Sequence, residues 1–227
     1  FNVLGAVCLG RLVSQYGSRR LVVAGSSLEY APSSVALTES SAVSPLTWHG
    51  ATKAAATLLF RHAAEADALP VVVLRLFHVY GPWESAHRLG PTAIRSALAG
   101  QPLALTEPGI RRDWVFVDDV CEALLRAVDK GRNGEVFNIG SGVETANEEF
   151  VACVESVTGC QIRLAPGRYH RRGTDTEHRF ADATLAREVL GWQPRYALET
   201  GLRRTVEWYK ANPEAWSSAD DVRPEAV

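Results

Sequence analysis

Two short, uninterrupted apolar runs on either side of a long helical pattern constrain this chain most. Residues 20–25 (RLVVAG) and residues 70–77 (PVVVLRLF) lack the polar alternation of a half-exposed strand, which favours strands buried on both faces. Residues 47–66 between them are rich in alanine and have helical periodicity. Because a strand–helix–strand succession produces parallel strands, we predict an α/β protein with a doubly wound parallel sheet.

The rest of the chain continues this alternation. The pattern predicts helices over residues 2–16, 91–99, 118–128, 147–158, 184–190 and 198–210, strands over 135–139 and 162–164, and a short extended piece at 114–117. Only two or three strands of one sheet can be recognised, which is a poor free-standing core for a sheet buried on both faces. Because the sequence also starts with Phe1 and contains no methionine, we expect the N-terminal half of the sheet to be missing from it.

Composition and charge exclude several classes of protein. The formal net charge of -2 argues against non-specific nucleic-acid binding. No apolar run approaches the roughly 20 residues that span a bilayer, so no membrane partner is expected. None of the four cysteines lies in a C-x-x-C pair or a zinc-binding spacing. We therefore expect free thiols in a reducing cytoplasm and no metal site.

Several short motifs carry a resemblance to a known family. They are LVVAGSSLEY (21–30), HGATK (49–53), RLFHVYGP (75–82), RDWVFVDD (112–119), NIGSG (138–142), RGTD (172–175) and LGW (190–192). In this order they resemble the extended short-chain dehydrogenase/reductase superfamily, and within it the NAD-dependent nucleotide-sugar epimerase/dehydratase family. The resemblance extends from residue 2 to about residue 210 and so covers nearly the whole chain.

The resemblance implies a domain organisation and a function. Residues 1–82 and 113–142 would form the remainder of a Rossmann-type NAD-binding domain, residues 83–112 and 143–212 a small α/β substrate-binding lobe, and residues 213–227 a polar tail. The implied activity is epimerisation, dehydration or reduction of a nucleotide-linked sugar with NAD or NADP. The resemblance also implies a homodimer that pairs the helix at 47–66, and a glycine-rich phosphate-binding loop upstream of the sequence.

Three residues match the catalytic machinery of the family. Lys53 matches the lysine of its Y-x-x-x-K motif, and Ser26, counted back from Tyr30, matches the hydroxyl that orients the substrate. His49 stands where the family has its tyrosine base. By the same matching, the residues that contact the cofactor are Gly25, Ser26, Lys53, Leu76 and Phe77.

The histidine at position 49 leaves the identity of the base open. His49 and Lys53 are one helical turn apart and would share a helix face, and a neutral imidazole can accept a proton. His49 is therefore a substitute base, a bystander beside another acceptor such as Tyr30 or water, or the mark of a degenerate site that binds without turnover. The alternative function is accordingly that of a non-catalytic nucleotide-sugar or dinucleotide-binding protein.

Further residues match substrate contacts or structural positions of the family. His78 replaces the asparagine that usually contacts the nucleotide sugar. Arg112 and Arg172 match the two arginines that hold the substrate diphosphate, a role that suits the bidentate guanidinium. We expect Arg75, on a buried strand, to pair with an internal carboxylate. The glycine-rich turn at residues 140–142 matches a structural motif of the family rather than a phosphate cradle.

Overall fold

A computed structural model describes residues 2–106, 108–165 and 173–214. The helices are α1 (Asn2–Tyr16), α2 (Trp48–Ala66), α3 (Leu89–Ala99), α4 (Val117–Lys130), α5 (Asn147–Thr158) and α6 (Leu198–Ala211). The strands are β1 (Leu21–Ser26), β2 (Val71–Leu76), β3 (His78–Tyr80), β4 (Arg111–Phe116), β5 (Val136–Ile139) and β6 (Glu144–Ala146). Helices and strands therefore alternate along much of the described chain, as the sequence predicts.

Three parallel strands form the main sheet, in the order β1, β2, β5. The central strand β2 is buried on both sides, and Val71, Val72 and Leu74 have no exposed surface. The sequence of such a strand is a continuous apolar run because neither face of the strand is exposed to water. The predicted α/β fold with a parallel sheet is confirmed.

Helices cover both faces of the main sheet. Successive side chains of a strand point to opposite faces, so Val71 and Val73 pack in one cluster with Phe60 of α2. Val72 and Leu74 belong to a second cluster that includes side chains of α4. This arrangement, with α1 and α2 on one face and α4 on the other, is that of a doubly wound sheet.

Among the strands that the structure describes, β1 pairs on one side only, with β2. The N–H of Leu21 donates to the carbonyl of Pro70 over 2.7 Å, so the main-chain groups of alternate residues, including Ala24 and Ser26, point away from β2. Two of these groups are bound by side chains. The Lys53 ammonium donates to the Ala24 carbonyl over 2.8 Å, and the Glu29 carboxylate accepts from the Ser26 N–H. Both side chains are thereby anchored near the carboxyl end of β1.

A second, smaller sheet has the order β3, β4, β6. Strand β3 is parallel to β4, and β6 is antiparallel to it. Its core is aromatic: Trp114 stacks on Phe150 of α5 with ring centroids 3.9 Å apart, and Tyr80, Phe116 and Leu202 of α6 join the same cluster. Strand β3 and most of β4 lie within the residues predicted to belong to the Rossmann-type domain, whereas β6 lies within the predicted substrate-binding lobe. The boundaries between the two domains stay a prediction.

The structure differs from the sequence prediction in a few short segments. Residues 162–164 are not a strand, since Leu164 makes a single bridge to Leu103. The predicted helix at 184–190 is helical over its whole length, but its residues Ala186–Leu190 form a π-helical turn rather than an α-helix. Strands β3 and β6 are absent from the prediction because three residues carry no readable periodicity. Most of the predicted tail lies outside the described residues, and no helix within the described ranges has the length and apolar character to span a membrane.

Candidate active site

Ser26 ends β1 and begins a 3-10 turn at Ser27–Glu29. Its Oγ accepts from the N–H of Leu28 over 3.2 Å, and its own N–H donates to Glu29 Oε1 over 2.8 Å. This capping box holds the Ser26 side chain at the carboxyl end of the sheet, which is where ligands of doubly wound folds bind. Because the hydroxyl oxygen acts as an acceptor in the turn, its proton can be donated to a substrate oxygen.

Helix α2 packs its first turn directly against this 3-10 turn. A Cβ atom at Gly50 would lie 2.2 Å from the Leu28 carbonyl oxygen, so the close approach requires glycine at this position. The Thr47 hydroxyl caps the helix by accepting from the Gly50 N–H over 3.0 Å. The contact places His49 beside the Ser26 turn and Lys53 one helical turn further along α2.

His49 has the electrostatic environment of a neutral proton acceptor. Partial shielding of its imidazole from water lowers the pKa of His49 below the ordinary value, and the positive charges of Lys53 and Arg88 lower it further. The ring is therefore neutral at pH 7 and has a free lone pair.

Tyr30 is not placed to act as the base. Its ring is fully buried, and its hydroxyl donates to Asn138 Oδ1 over 2.7 Å. Burial raises the pKa of the Tyr30 hydroxyl, although the neighbouring Arg75 guanidinium opposes the shift. The phenol is thus an internal hydrogen-bond donor, which removes one of the alternatives to His49.

A buried ion pair lies beneath the Ser26 turn. Arg75 Nε donates to Glu29 Oε2 over 2.8 Å, with only 4% and 0% of the two side chains exposed. The prediction that Arg75 pairs with an internal carboxylate is therefore confirmed. The same carboxylate lies so near β1 that a Cβ at Gly25 would come within 2.8 Å of Glu29 Oε1. Gly25 thus makes room for the ion pair, and its predicted contact with the cofactor stays a prediction.

The two other predicted cofactor contacts lie at the end of β2. Leu76 is half-buried and packs on the α4 side of the sheet. Phe77 is buried in a cluster with Tyr30, Leu37 and Ala181. The N–H of Phe77 donates to the Ile139 carbonyl over 3.0 Å, and the predicted cofactor contacts of Leu76 and Phe77 stay predictions.

His78 begins β3 and is held by an arginine that the sequence motifs do not include. Arg88 Nη2 and His78 Nε2 lie 3.0 Å apart; because arginine only donates, Nε2 accepts and Nδ1 carries the proton. The imidazole edge also packs on Trp114, with ring centroids 4.1 Å apart. Burial first, and then the charges of Arg88 and Arg112, lower the pKa of His78 far below its ordinary value. His78 is therefore a neutral polar contact between two guanidinium groups.

The predicted Arg112 lies next to Arg179, which, like Arg88, the sequence motifs do not include. Arg112 Nη1 donates to the carbonyl oxygens of Arg111 and Thr176, over 2.7 and 2.9 Å. The Arg179 guanidinium is buried and donates to the Ser27 carbonyl. Burial and the nearby charge of Arg112 lower the pKa of Arg179 to about 10. The other arginine predicted to hold the diphosphate, Arg172, lies outside the described residues.

Glu84 is the carboxylate that faces this cluster of arginines. Its Oε1 lies 3.0 Å from Arg88 Nε in an ion pair, although the N–H does not point at the oxygen and no aligned hydrogen bond forms. The Glu84 side chain is only 6% exposed. Burial raises the pKa of Glu84 to about 7, against the opposing effect of Arg88.

The raised pKa of Glu84 predicts a pH-dependent stability. Between about pH 4.5 and 7 the folded protein keeps a proton that the unfolded chain releases, so the free energy of unfolding falls as the pH rises, by at most about 3 kcal/mol. Urea unfolding at a series of pH values measures this slope. Glu84→Gln should flatten it, whereas Glu199→Gln, which removes an exposed carboxylate, should leave it in place. An unchanged slope in Glu84→Gln would refute the assignment.

The glycine-rich turn at residues 140–142 has a structural role. The main-chain N–H groups of Ser141 and Gly142 donate to the Asp113 carboxylate over 2.6 and 2.9 Å. The Ala181 N–H and the Ser141 hydroxyl donate to the same buried carboxylate. The amides that would bind a phosphate are therefore occupied from within the chain. Among the residues that the structure describes, no three histidine, cysteine, aspartate or glutamate side chains are grouped as metal ligands.

Comparison with known proteins agrees with this arrangement. The family model of the NAD dependent epimerase/dehydratase family matches residues 1–140. A dTDP-glucose 4,6-dehydratase of Xanthomonas campestris pv. campestris is 34% identical over 188 residues, which cover 79% of this chain and 53% of that protein. The chain spans about half the length of the curated relatives it matches.

Solved structures share the fold closely. The crystal structure of a double mutant of DesIV, a dTDP-glucose 4,6-dehydratase of Streptomyces venezuelae, has a TM-score of 0.89 at 28% identity and covers 96% of this chain and 68% of its own. MoeE5 in complex with UDP-glucuronic acid and NAD has a TM-score of 0.86 at 32% identity and covers 93% of this chain and 71% of its own. From the motifs, the geometry and these matches together, the chain belongs to the NAD-dependent epimerase/dehydratase family.

Proposed function

We propose that this protein catalyses the NAD-dependent epimerisation or dehydration of a nucleotide-linked sugar. The observation that carries the proposal is the grouping of Arg88 and Arg112 around the neutral His78, at the end of the parallel sheet. Guanidinium groups bind phosphate oxygens with paired, charge-assisted hydrogen bonds, and a nucleotide sugar carries a diphosphate. The names of the relatives, which are dehydratases of dTDP-glucose, support the same substrate class.

The residues present fit the nicotinamide end of the cofactor. The Lys53 ammonium uses one donor on the Ala24 carbonyl and has two more for the hydroxyls of a ribose. Gly25 and Lys53 line one cleft near the end of β1, and Leu76 ends the neighbouring strand β2. When bound, NAD supplies the hydride acceptor for oxidation of a sugar carbon. DesIV and MoeE5 were both solved with NAD, which supports NAD rather than NADP.

We assign the proton-transfer roles to three residues of this chain. His49 accepts the proton of the sugar hydroxyl as that carbon is oxidised. The Ser26 hydroxyl donates to the sugar oxygen and orients it. Lys53 keeps the imidazole neutral through its nearby positive charge, which lowers the pKa of His49. Arg88 and Arg112 hold the diphosphate, so the sugar is directed towards Ser26.

Isothermal titration calorimetry with UDP-glucose, dTDP-glucose and NAD tests this proposal. We expect Arg112→Gln to weaken the binding of the nucleotide sugar about 10- to 100-fold, because a charge-assisted contact to the diphosphate is lost. NAD binding should be unchanged. Arg203→Gln, which removes an arginine from an exposed pair on α6, serves as the control. If neither nucleotide sugar binds the native protein, the proposed function is wrong.

A non-catalytic binding protein is the second candidate function. It is favoured by His49, which is exposed and replaces the tyrosine expected from the resemblance. Such a protein would bind the same nucleotide sugar and NAD in the titrations. Mass analysis of a nucleotide sugar incubated with the protein and NAD separates the two candidates, because only an enzyme changes the sugar.

We also propose a homodimer formed through α1 and α2. Large apolar side chains are exposed on both helices, and such side chains mark interaction sites where they form a patch: Leu4, Leu12 and Tyr16 on α1 and Leu58 on α2. The resemblance assigns α2 to a four-helix dimer interface, and α1 packs against α2. Sedimentation equilibrium of the protein would show a single-chain mass if this proposal is wrong.

A cytoplasmic location is proposed from the state of the cysteines. All four are unpaired, and Cys8 and Cys121 are exposed. Exposed free thiols are stable in a reducing compartment and oxidise elsewhere. Fractionation of cells that produce the protein would place it outside the cytoplasm if this proposal is wrong.

A further inference from the structure

Glu84 is a buried carboxylate that none of the roles above requires. It lies in the loop between β3 and α3, and only 6% of its side chain is exposed. A Cβ atom at Gly90, in the first turn of α3, would come within 2.5 Å of Glu84 Oε2, so the glycine makes room for the carboxylate. The carboxylate thus has a defined place between the loop and the helix.

The pairing of Glu84 with Arg88 differs from the pairing of Glu29 with Arg75. Arg75 Nε donates an aligned hydrogen bond to Glu29 Oε2 over 2.8 Å, and both side chains are buried. Glu84 Oε1 lies 3.0 Å from Arg88 Nε, but no aligned hydrogen bond joins the two atoms, and 45% of the Arg88 side chain is exposed. Because this pair has charge attraction without a directed bond, an anion that forms directed bonds with Arg88 can replace the carboxylate.

The Arg88 guanidinium faces two different partners. Its Nε lies against Glu84, whereas its Nη2 contacts His78 Nε2 over 3.0 Å, within the group of residues that we assign to the diphosphate. Diphosphate oxygens accept paired, charge-assisted hydrogen bonds from guanidinium nitrogens. A bound diphosphate would therefore replace Glu84 as the counter-ion of Arg88.

The Glu84 carboxylate would then be a buried charge beside the negative diphosphate. Burial already raises the pKa of Glu84 to about 7, although Arg88 opposes the shift, and a nearby anion raises the pKa of a carboxyl group further. Two other groups that the structure describes belong to this cluster: the Tyr209 phenol on α6, and Arg95 on α3, which acts on that phenol. Burial and the Glu84 charge raise the pKa of Tyr209 to about 12, so the phenol keeps its proton at neutral pH.

We propose that Glu84 is a provisional counter-ion of Arg88, and that it takes up a proton when the diphosphate of a nucleotide sugar binds. This inference rests on the proposed function, because it assigns Arg88 to the diphosphate. The proton comes from the buffer and forms one O–H bond at Glu84, and no other covalent bond changes. Glu84 is thus a positioning residue that acts through Arg88 and couples the affinity for the nucleotide sugar to pH.

Titration calorimetry of UDP-glucose and dTDP-glucose, in buffers of different ionisation enthalpy, tests the inference. At pH 7 the native protein should take up about half a proton per nucleotide sugar bound, and its Kd should rise about 3- to 10-fold between about pH 6 and 8. The diphosphates of both ligands stay fully ionised in this range. Glu84→Gln should abolish the uptake and reduce the change in Kd to less than about 2-fold. Glu199→Gln, which removes an exposed carboxylate on α6, should behave like the native protein.

Each contrary outcome has a distinct meaning. If the native protein binds a nucleotide sugar without taking up a proton, the inference is overturned while the proposed function stands. If Glu84→Gln takes up as much proton as the native protein, another group such as His49 or His78 is titrated, and the inference is again overturned. If neither nucleotide sugar binds, the proposed function fails and this inference fails with it.

A measurement on the native protein decides the question if Glu84→Gln shows no cooperative unfolding transition. Nuclear magnetic resonance of protein labelled with ¹³C at its glutamate carboxyl groups follows each titration separately. Most glutamates titrate near their ordinary pKa of about 4.3, so a carboxyl that titrates near pH 7 stands apart. We expect this resonance to remain that of a protonated carboxyl in the complex with UDP-glucose. An unchanged titration in the complex would overturn the inference.

Discussion

Replacing His49 by alanine is expected to lower kcat about 100-fold or more for the proposed reaction. The reason is that the neutral imidazole is the group on the first turn of α2 that can accept the sugar hydroxyl proton, and general-base catalysis contributes about 10²- to 10⁴-fold. The KM for the nucleotide sugar should change little, because Arg88 and Arg112 bind the diphosphate independently of His49. The measurement is the steady-state rate of sugar conversion at saturating NAD and nucleotide sugar.

The pH profile and one further variant make this prediction specific. Since the pKa of His49 is lowered, the acid limb of the native kcat profile should lie below the ordinary pKa of histidine, about 6.5. His49→Tyr should move that limb to higher pH, because a phenol must lose its proton before it can act as the base. A base role for the imidazole would be untenable if His49→Ala kept full activity while His49→Tyr raised it.

Removing the Glu29 carboxylate by Glu29→Ala is expected to lower the free energy of unfolding by about 3–5 kcal/mol. The substitution leaves the Arg75 guanidinium buried and uncompensated, and it deprives the Ser26 N–H of its acceptor. This is a large share of the roughly 5–15 kcal/mol that stabilises a typical domain. Equilibrium urea unfolding followed by circular dichroism measures the change.

Two controls distinguish the loss of a buried ion pair from the loss of an exposed charge. Glu199→Ala breaks an exposed pair with Arg203 on α6 and should cost no more than about 0.5 kcal/mol. The double variant Glu29→Leu with Arg75→Met removes both charges and should recover much of the lost stability. Equal losses in Glu29→Ala and Glu199→Ala would contradict the importance that the structure gives to this pair.

The parallel sheet could be predicted because its strands carry a strong local signal. The runs at β1 and β2 are continuous and apolar because helices cover both faces of the sheet. The small sheet gives no such signal, since β3 and β6 are three residues long and depend on β4 for their conformation. Burial by tertiary neighbours, rather than local preference, creates these two strands.

The site was predictable where its residues lie in motifs of fixed spacing. Ser26 ends a predicted strand, and Lys53 lies on the predicted helix that comes next along the chain. The structure brings both residues to the carboxyl end of β1. Arg179 reaches the site through a contact that spans 152 residues. No sequence spacing records a contact of that kind. Arg88 lies nearer, but its approach to His78 depends on the loop between β3 and α3, whose path has no periodic pattern.

The Asp113 carboxylate gives the molecule a mechanical property. It belongs to β4 of the small sheet, yet it accepts hydrogen bonds from Ser141 and Gly142, which follow β5 of the main sheet, and from Ala181. Because this junction is buried, separating the two sheets would leave the Asp113 carboxylate without its hydrogen-bond donors. We therefore expect the two sheets to unfold as one cooperative unit.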